Sequence, residues 1–174
     1  MRGDETMRGT IVSGIALSLA MLLPAGAGGA GAADCLLDGN PTCASATQLG
    51  QLAGDAGTPR ITRTGIGEAF FVLRLREESS SSRDLTAAVR LQVPPGMNYD
   101  LVVRCDSCAS SVAKTSTGRQ GQSEEVRLSR RDDFDDNSFS VIVEVRYRQG
   151  KSCAPWTLTF VGNSGPGTSP LVCG

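Results

Sequence analysis

The chain reads as an all-β protein, an antiparallel β-sandwich of about eight or nine strands, carried into an oxidising compartment by an export signal. Three observations predict this. Apolar residues recur at a period of two, as where Phe71, Leu73 and Leu75 alternate with Val72, Arg74 and Arg76. That alternation belongs to strands with one buried and one wet face. An N-terminal apolar segment has the parts of a signal peptide. Six cysteines, an even number, all follow that segment, and the chain has no histidine.

The elements follow in order. Arg8 supplies a positive start, Ile11 to Leu23 an apolar core, and Pro24 a break. An Ala/Gly run then ends at Ala33, with Gly31 and Ala33 as the small residues that signal peptidase accepts. The apolar core is about 13 residues, and a bilayer-spanning helix needs roughly 20, so residues 1–33 are expected to be removed. The mature chain, 34–174, then has no membrane span. Its charge stays at −1, because the removed part holds two arginines and two acids. Phosphate backbones need a basic excess, so nucleic acid is not expected as a partner. Residues 34–45 are expected to form a loop stapled by cysteine.

Strands are expected at Gln48–Ala53, Glu68–Glu77, Leu85–Val93, Asn98–Cys105, Ser111–Thr117, Glu124–Arg130, Phe139–Tyr147 and Trp156–Val161, with an edge strand over Arg60–Arg63. A four-serine turn, Ser79–Ser82, separates the second and third of the eight, and Pro94-Pro95-Gly96 stops the third. No stretch after the signal carries a helical apolar stripe. Strands at a spacing of about 10–14 residues joined by turns describe an antiparallel sandwich. Residues 163–174 are a Gly/Pro tail that Cys173 pins back.

An even cysteine count beyond an export step points to disulfides. Proximity favours Cys35–Cys43, Cys105–Cys108 and Cys153–Cys173, although six cysteines allow 15 pairings and sequence alone does not choose. Cys105-Asp106-Ser107-Cys108 also has the spacing of a redox or zinc pair. A redox pair wants a helix after its first cysteine, and zinc wants two more ligands. Neither is evident, so a structural bridge is expected.

Several segments together resemble a known family. They are Thr47-Gln48-Leu49-Gly50-Gln51-Leu52, Glu68-Ala69-Phe70-Phe71-Val72-Leu73, Asn98-Tyr99-Asp100-Leu101-Val102-Val103, Ser123-Glu124-Glu125-Val126, Phe139-Ser140-Val141-Ile142-Val143-Glu144-Val145 and Trp156-Thr157-Leu158-Thr159. In order and spacing they resemble the bacterial pre-peptidase C-terminal domain, over residues 46–162. The resemblance implies a jelly-roll-like sandwich of a kind found behind secreted proteases. Some such domains bind polymers such as collagen, and some of those bind calcium. Here the domain is read as standing without a protease, which departs from the family pattern. The family's paired acids before the aromatic strand are reduced to Glu68, between Gly67 and Ala69, so the family calcium site is not assumed.

Without histidine, Ser-His-Asp and Cys-His chemistry is excluded. Ser111-Val112-Ala113-Lys114 spells Ser-x-x-Lys, but its companion motifs are missing and residues three apart on a strand face opposite ways. No enzymatic activity is expected. Calcium is the one cofactor for which candidates exist, Glu68 and the acidic run Asp132, Asp133, Asp135 and Asp136, although that run lacks the EF-hand order. Fifteen arginines against two lysines make the outer strand faces arginine-rich. Arg74, Arg76, Arg90, Arg104, Arg146 and Arg148 are the binding candidates for an acidic polymer. The plainer account is cross-strand pairing with acids such as Glu125 and Glu144. The single tryptophan, Trp156, is in phase with Leu158 and Phe160 and is expected in the core. The chain thus reads as a secreted or periplasmic, non-catalytic binding module for an extracellular polymer or a secreted protein. The alternative is a folding or inhibitory partner of a separately encoded protease.

Overall fold

A computed structural model describes residues 41–78, 83–133 and 135–174. The expected signal peptide, Cys35 and the four-serine turn lie outside the described residues. The described residues form ten strands: β1 (Thr47–Ala53), β2 (Arg60–Gly65), β3 (Ala69–Arg76), β4 (Leu85–Gln92), β5 (Met97–Cys105), β6 (Ala113–Ser116), β7 (Glu124–Arg130), β8 (Phe139–Gly150), β9 (Trp156–Gly162) and β10 (Leu171–Val172). They form two five-stranded sheets, ordered β1-β3-β8-β5-β6 and β10-β7-β4-β9-β2. The first is called here the front sheet and the second the back sheet.

The sandwich matches the expected class, with two differences. The tail contributes a strand, β10, where only a loop was expected. The sheets are also mixed, because β1 pairs with β3, and β10 with β7, in parallel. The first of these follows from connectivity. The chain leaves β1 in the front sheet, crosses to β2 in the back sheet and returns to β3. A crossover of that kind permits parallel pairing, whereas a tight hairpin forces antiparallel pairing.

The core is the inner face of each alternating strand. Phe71, Leu73 and Leu75 of β3 meet Val141, Val143 and Val145 of β8 from within the front sheet. Val89 and Leu91 of β4 and Leu158 and Phe160 of β9 close it from the back sheet. Trp156 is 1% exposed, as its phase predicts, and lies edge-on to Phe71 with ring centroids 6.0 Å apart. Its indole Nε1 donates to the Gly67 carbonyl at 2.9 Å, while the Gly67 amide donates to the Tyr99 hydroxyl at 3.2 Å. The buried polar tips of both rings are thereby satisfied by one backbone segment. Two glycines permit close approach. A β-carbon on Gly65 would lie 2.5 Å from the Trp156 ring, and one on Gly162 would lie 1.9 Å from the Ala53 carbonyl oxygen.

The disulfides overturn all three proximity pairings. Cys43 bonds Cys108, and Cys105 bonds Cys173. Cys153 is also disulfide-bonded, but not to Cys173. The physical reason lies in direction. Cys105 ends β5 in phase with Leu101 and Val103, so its sulfur points into the core, where Cys173 arrives after β10; both are 1% exposed. Asp106 then takes a left-handed conformation (φ 67°) that turns the chain outward. Cys108 is left on the surface, where the 3-10 turn Cys43–Ser45 meets it. The Cys-x-x-Cys sequence is two halves of two different bridges. The N-terminal loop is therefore stapled to the β5–β6 turn instead of to itself.

Candidate binding face

The six arginines singled out in the sequence all face outward, but on two different sheets. Arg74, Arg76, Arg104, Arg146 and Arg148 lie on the outer face of the front sheet, and Arg90 lies on that of the back sheet. The front-sheet set is neutralised at short range. Arg104 and Arg146 both grip Glu144, with Arg104 Nη1 donating to Oε2 at 2.9 Å and Arg146 Nη2 to the same oxygen at 2.9 Å. Arg148 pairs with Asp100, Arg76 with Glu78, and Arg74 with Asp136. Burial works to raise the Glu144 pKa, and the hydrogen bonds from Arg146 and Arg104 outweigh it, holding the carboxyl below its usual value. On this sheet the cross-strand pairing account prevails.

The calcium candidates are not brought together. Glu68 precedes β3, beside the Val145 end of β8, while Asp136 precedes β8 near the other end. Seven residues of strand, roughly 20 Å, separate them. Within the acidic loop, Asp132 Oδ1 accepts from Asn137 Nδ2 at 3.1 Å, and Asp136 Oδ1 accepts from the Ser138 amide at 2.9 Å. Those Ser138 hydrogen bonds lower the Asp136 pKa. Asp133 and Asp135 are exposed. Among the described residues no group of three or more acidic or cysteine side chains converges as metal ligands do. Lys114 is likewise not directed at Ser111: its ammonium donates to the Ser169 carbonyl.

The back sheet carries a different arrangement. Register places its outward residues in rows across four strands. Arg60, Val161, Ala88 and Arg127 form one row. Thr62, Thr159, Arg90 and Glu125 form the next, and Thr64, Thr157 and Gln92 a third. Small residues in the middle and long ones around them leave a hollow of about 290 Å3, lined among others by Arg60, Arg90, Gln92, Ser123 and Thr159. Its floor is the Val161 side chain, 7% exposed although it points outward. Arginine stems cover such apolar floor while their guanidinium groups stay in water. The Thr62 and Thr159 hydroxyls stand 3.5 Å apart across the strand pair.

Charge on this face does not cancel. Of its three arginines two share one carboxylate, Glu125, which accepts from Arg90 Nε at 2.7 Å and from Arg127 Nε at 2.6 Å. Burial again opposes, and the bonds from Arg127 and then Arg90 prevail, so the Glu125 pKa is lowered. No carboxylate among the described residues lies within ion-pair distance of Arg60. Sequence reasoning found Arg90 and missed Arg60 and the threonines. The signal was present as Thr62 and Thr64 in β2 and Thr157 and Thr159 in β9, alternating at period two. Only the register shows that they adjoin.

No protein-family model and no curated protein matches the chain. Among solved structures, the pre-peptidase C-terminal domain of a collagenase from Bacillus anthracis aligns with a TM-score of 0.39 and 10% identity, over 66% of this chain and 93% of that chain. The sandwich is read from the strand pairing itself, and the resemblance to the pre-peptidase family rests on the sequence motifs quoted above.

Proposed function

We propose that the protein is a secreted, non-catalytic binding module that holds an extracellular polymer on the outer face of the back sheet. The observation that carries this is the β2-β9-β4-β7 array. It is an open hollow with a small apolar floor, rimmed by threonine, serine, glutamine and arginine groups. Rigid strands fix the spacing of those groups, and a repeating ligand presents groups at fixed spacing too. Export fits the disulfide-bonded cysteines. No helix among the described residues is long and apolar enough to cross a membrane.

The test is retention of the disulfide-bonded protein on a panel of insoluble polysaccharides and fibrous proteins. Thr159→Trp fills the hollow without changing charge and is expected to abolish retention while the thermal melt stays cooperative. Val72→Trp, on the outer face of the front sheet, is expected to leave retention intact. Equal retention of wild type and Thr159→Trp would overturn the proposal. So would failure on the whole panel together with a stoichiometric complex with a secreted protease.

A further inference from the structure

Building on that reading of the back-sheet face, we propose that its ligand is an anionic polysaccharide, bearing sulfate or carboxylate groups, which lies across the strands from Arg60 to Lys114. Three observations converge on this class. The first is uncompensated charge. The face carries Arg60, Arg90 and Arg127 against Glu125 alone, on a protein whose net charge is −1. The front sheet, with more arginines, has each of its outward ones paired with an acid. A surplus on this sheet face, where the opposite face is paired, is electrostatic complementarity to an anion, and guanidinium groups meet sulfate and carboxylate oxygens in a two-pronged geometry.

The second observation is extent. A further hollow of about 240 Å3 is lined by Lys114, Glu125, Arg127, Thr168 and Ser169. The Arg90–Glu125–Arg127 triad joins it to the Arg60 hollow, with Arg90 lining that one and Glu125 and Arg127 this one. From β2 to β7 the back sheet takes three strand steps, about 14 Å, and past β7 the chain before β10 meets Lys114 of β6, the edge strand of the front sheet, whose ammonium donates to the Ser169 carbonyl. Two cationic hollows on either side of one clamped carboxylate suit a chain carrying spaced anions better than a single small anion.

The third is what surrounds the charges. Thr62, Thr64, Thr157, Thr159, Gln92 and Ser123 offer hydroxyl and amide groups matched to sugar hydroxyls. Both aromatic side chains of β9, Trp156 and Phe160, are 1% exposed and face the core, so among the described residues the strands of this face offer no ring on which a nucleic-acid base would stack.

The experiment measures binding of the disulfide-bonded protein to soluble dextran sulfate, polygalacturonate, unsubstituted dextran, poly-glutamate and double-stranded DNA, between 0.05 and 1 M salt. The expected result is binding to dextran sulfate, polygalacturonate or both, and weakening as the screening length falls from about 10 Å at 0.1 M to about 3 Å at 1 M. The two arms tell sulfate from carboxylate. Arg60→Ala is expected to weaken binding about tenfold, the loss of one charge-assisted contact, and Arg60→Glu more. Arg74→Ala on the front sheet is expected to change nothing. Dextran bound as well as the charged glycans, with Thr159→Trp abolishing both, would overturn the anionic class and leave the binding face standing. DNA or poly-glutamate bound as tightly as the glycans, or an Arg60→Ala protein of wild-type affinity, would overturn the inference as well. Binding to none of the polymers, with failure also on the insoluble panel, would overturn both proposals.

Discussion

Removing the Cys105–Cys173 bridge by Cys105→Ala with Cys173→Ala is expected to cost more than removing Cys43–Cys108 in the same way. Loop entropy alone does not distinguish them. The bridges span sequence separations of 68 and 65 residues, and the chain-entropy relation assigns about 4.4 and about 4.3 kcal/mol to them. Burial breaks the tie. Cys105 and Cys173 are each 1% exposed within the core cluster, whereas Cys108 is exposed and Cys43 half-buried. Deleting two buried sulfur atoms leaves a void between the sheets and adds about 1–2 kcal/mol. It also loosens the chain end that fastens to β7 through the Cys173 amide and the Ser129 carbonyl, 2.9 Å apart. Structure remaining in the denatured chain lowers both totals, so the difference between the two variants is the firm quantity. Urea unfolding followed by fluorescence of the single, buried Trp156 measures it. A Cys43/Cys108 variant as destabilised as the Cys105/Cys173 one would refute the reasoning. So would peptide mapping that found Cys105 joined to Cys108.

Further outcomes are expected from the packing and charge already described. Gly162→Ala should lose about 3 kcal/mol, because its new methyl group meets the Ala53 carbonyl, which cannot yield as a flexible side chain would; thermal denaturation reads this directly. Arg130→Ala should lose about 2 kcal/mol in the same assay. It removes a guanidinium 4.3 Å above the Phe139 ring that also donates to the Cys173 carbonyl at 2.7 Å and pairs with Asp106. Glu144 gives a pH signature. Its folded pKa is held below its unfolded value, so its stabilisation is fully present above about pH 4.5 and is lost as pH falls through the depressed folded value. Glu144→Gln should therefore flatten the stability–pH curve in that acid window while costing about 2 kcal/mol at pH 7; a curve that kept its slope would assign the acid sensitivity elsewhere.

The strands were legible because a half-buried strand writes its burial into alternate positions. Phe71, Leu73 and Leu75, or Leu158 and Phe160, had to be apolar whatever sheet they joined. β7 was found to the residue, and Trp156 was placed in the core, from phase alone. β10 escaped because two residues among Gly and Pro carry no period. The arginines show the limit from the other side. Phase predicts that Arg74, Arg90 and Arg146 point outward, and they do. Whether each meets an acid depends on which strand lies alongside: Glu144 falls between Arg104 and Arg146, while no acid among the described residues reaches Arg60. The threonine rows were equally out of reach, because β2 and β9 are almost a hundred residues apart in sequence and adjacent only in space, as the contact between Thr62 and Thr159 shows.

By itself the sequence determined the class of fold, the faces of the strands and the absence of histidine-based chemistry. Each is a property of residue type or of short-range periodicity, which a linear chain carries in full. The tertiary structure alone decided the sheet order, the parallel edges, the disulfide partners and the face on which positive charge is left over. These depend on contacts between distant segments, where one register or one left-handed residue such as Asp106 changes which side chains meet.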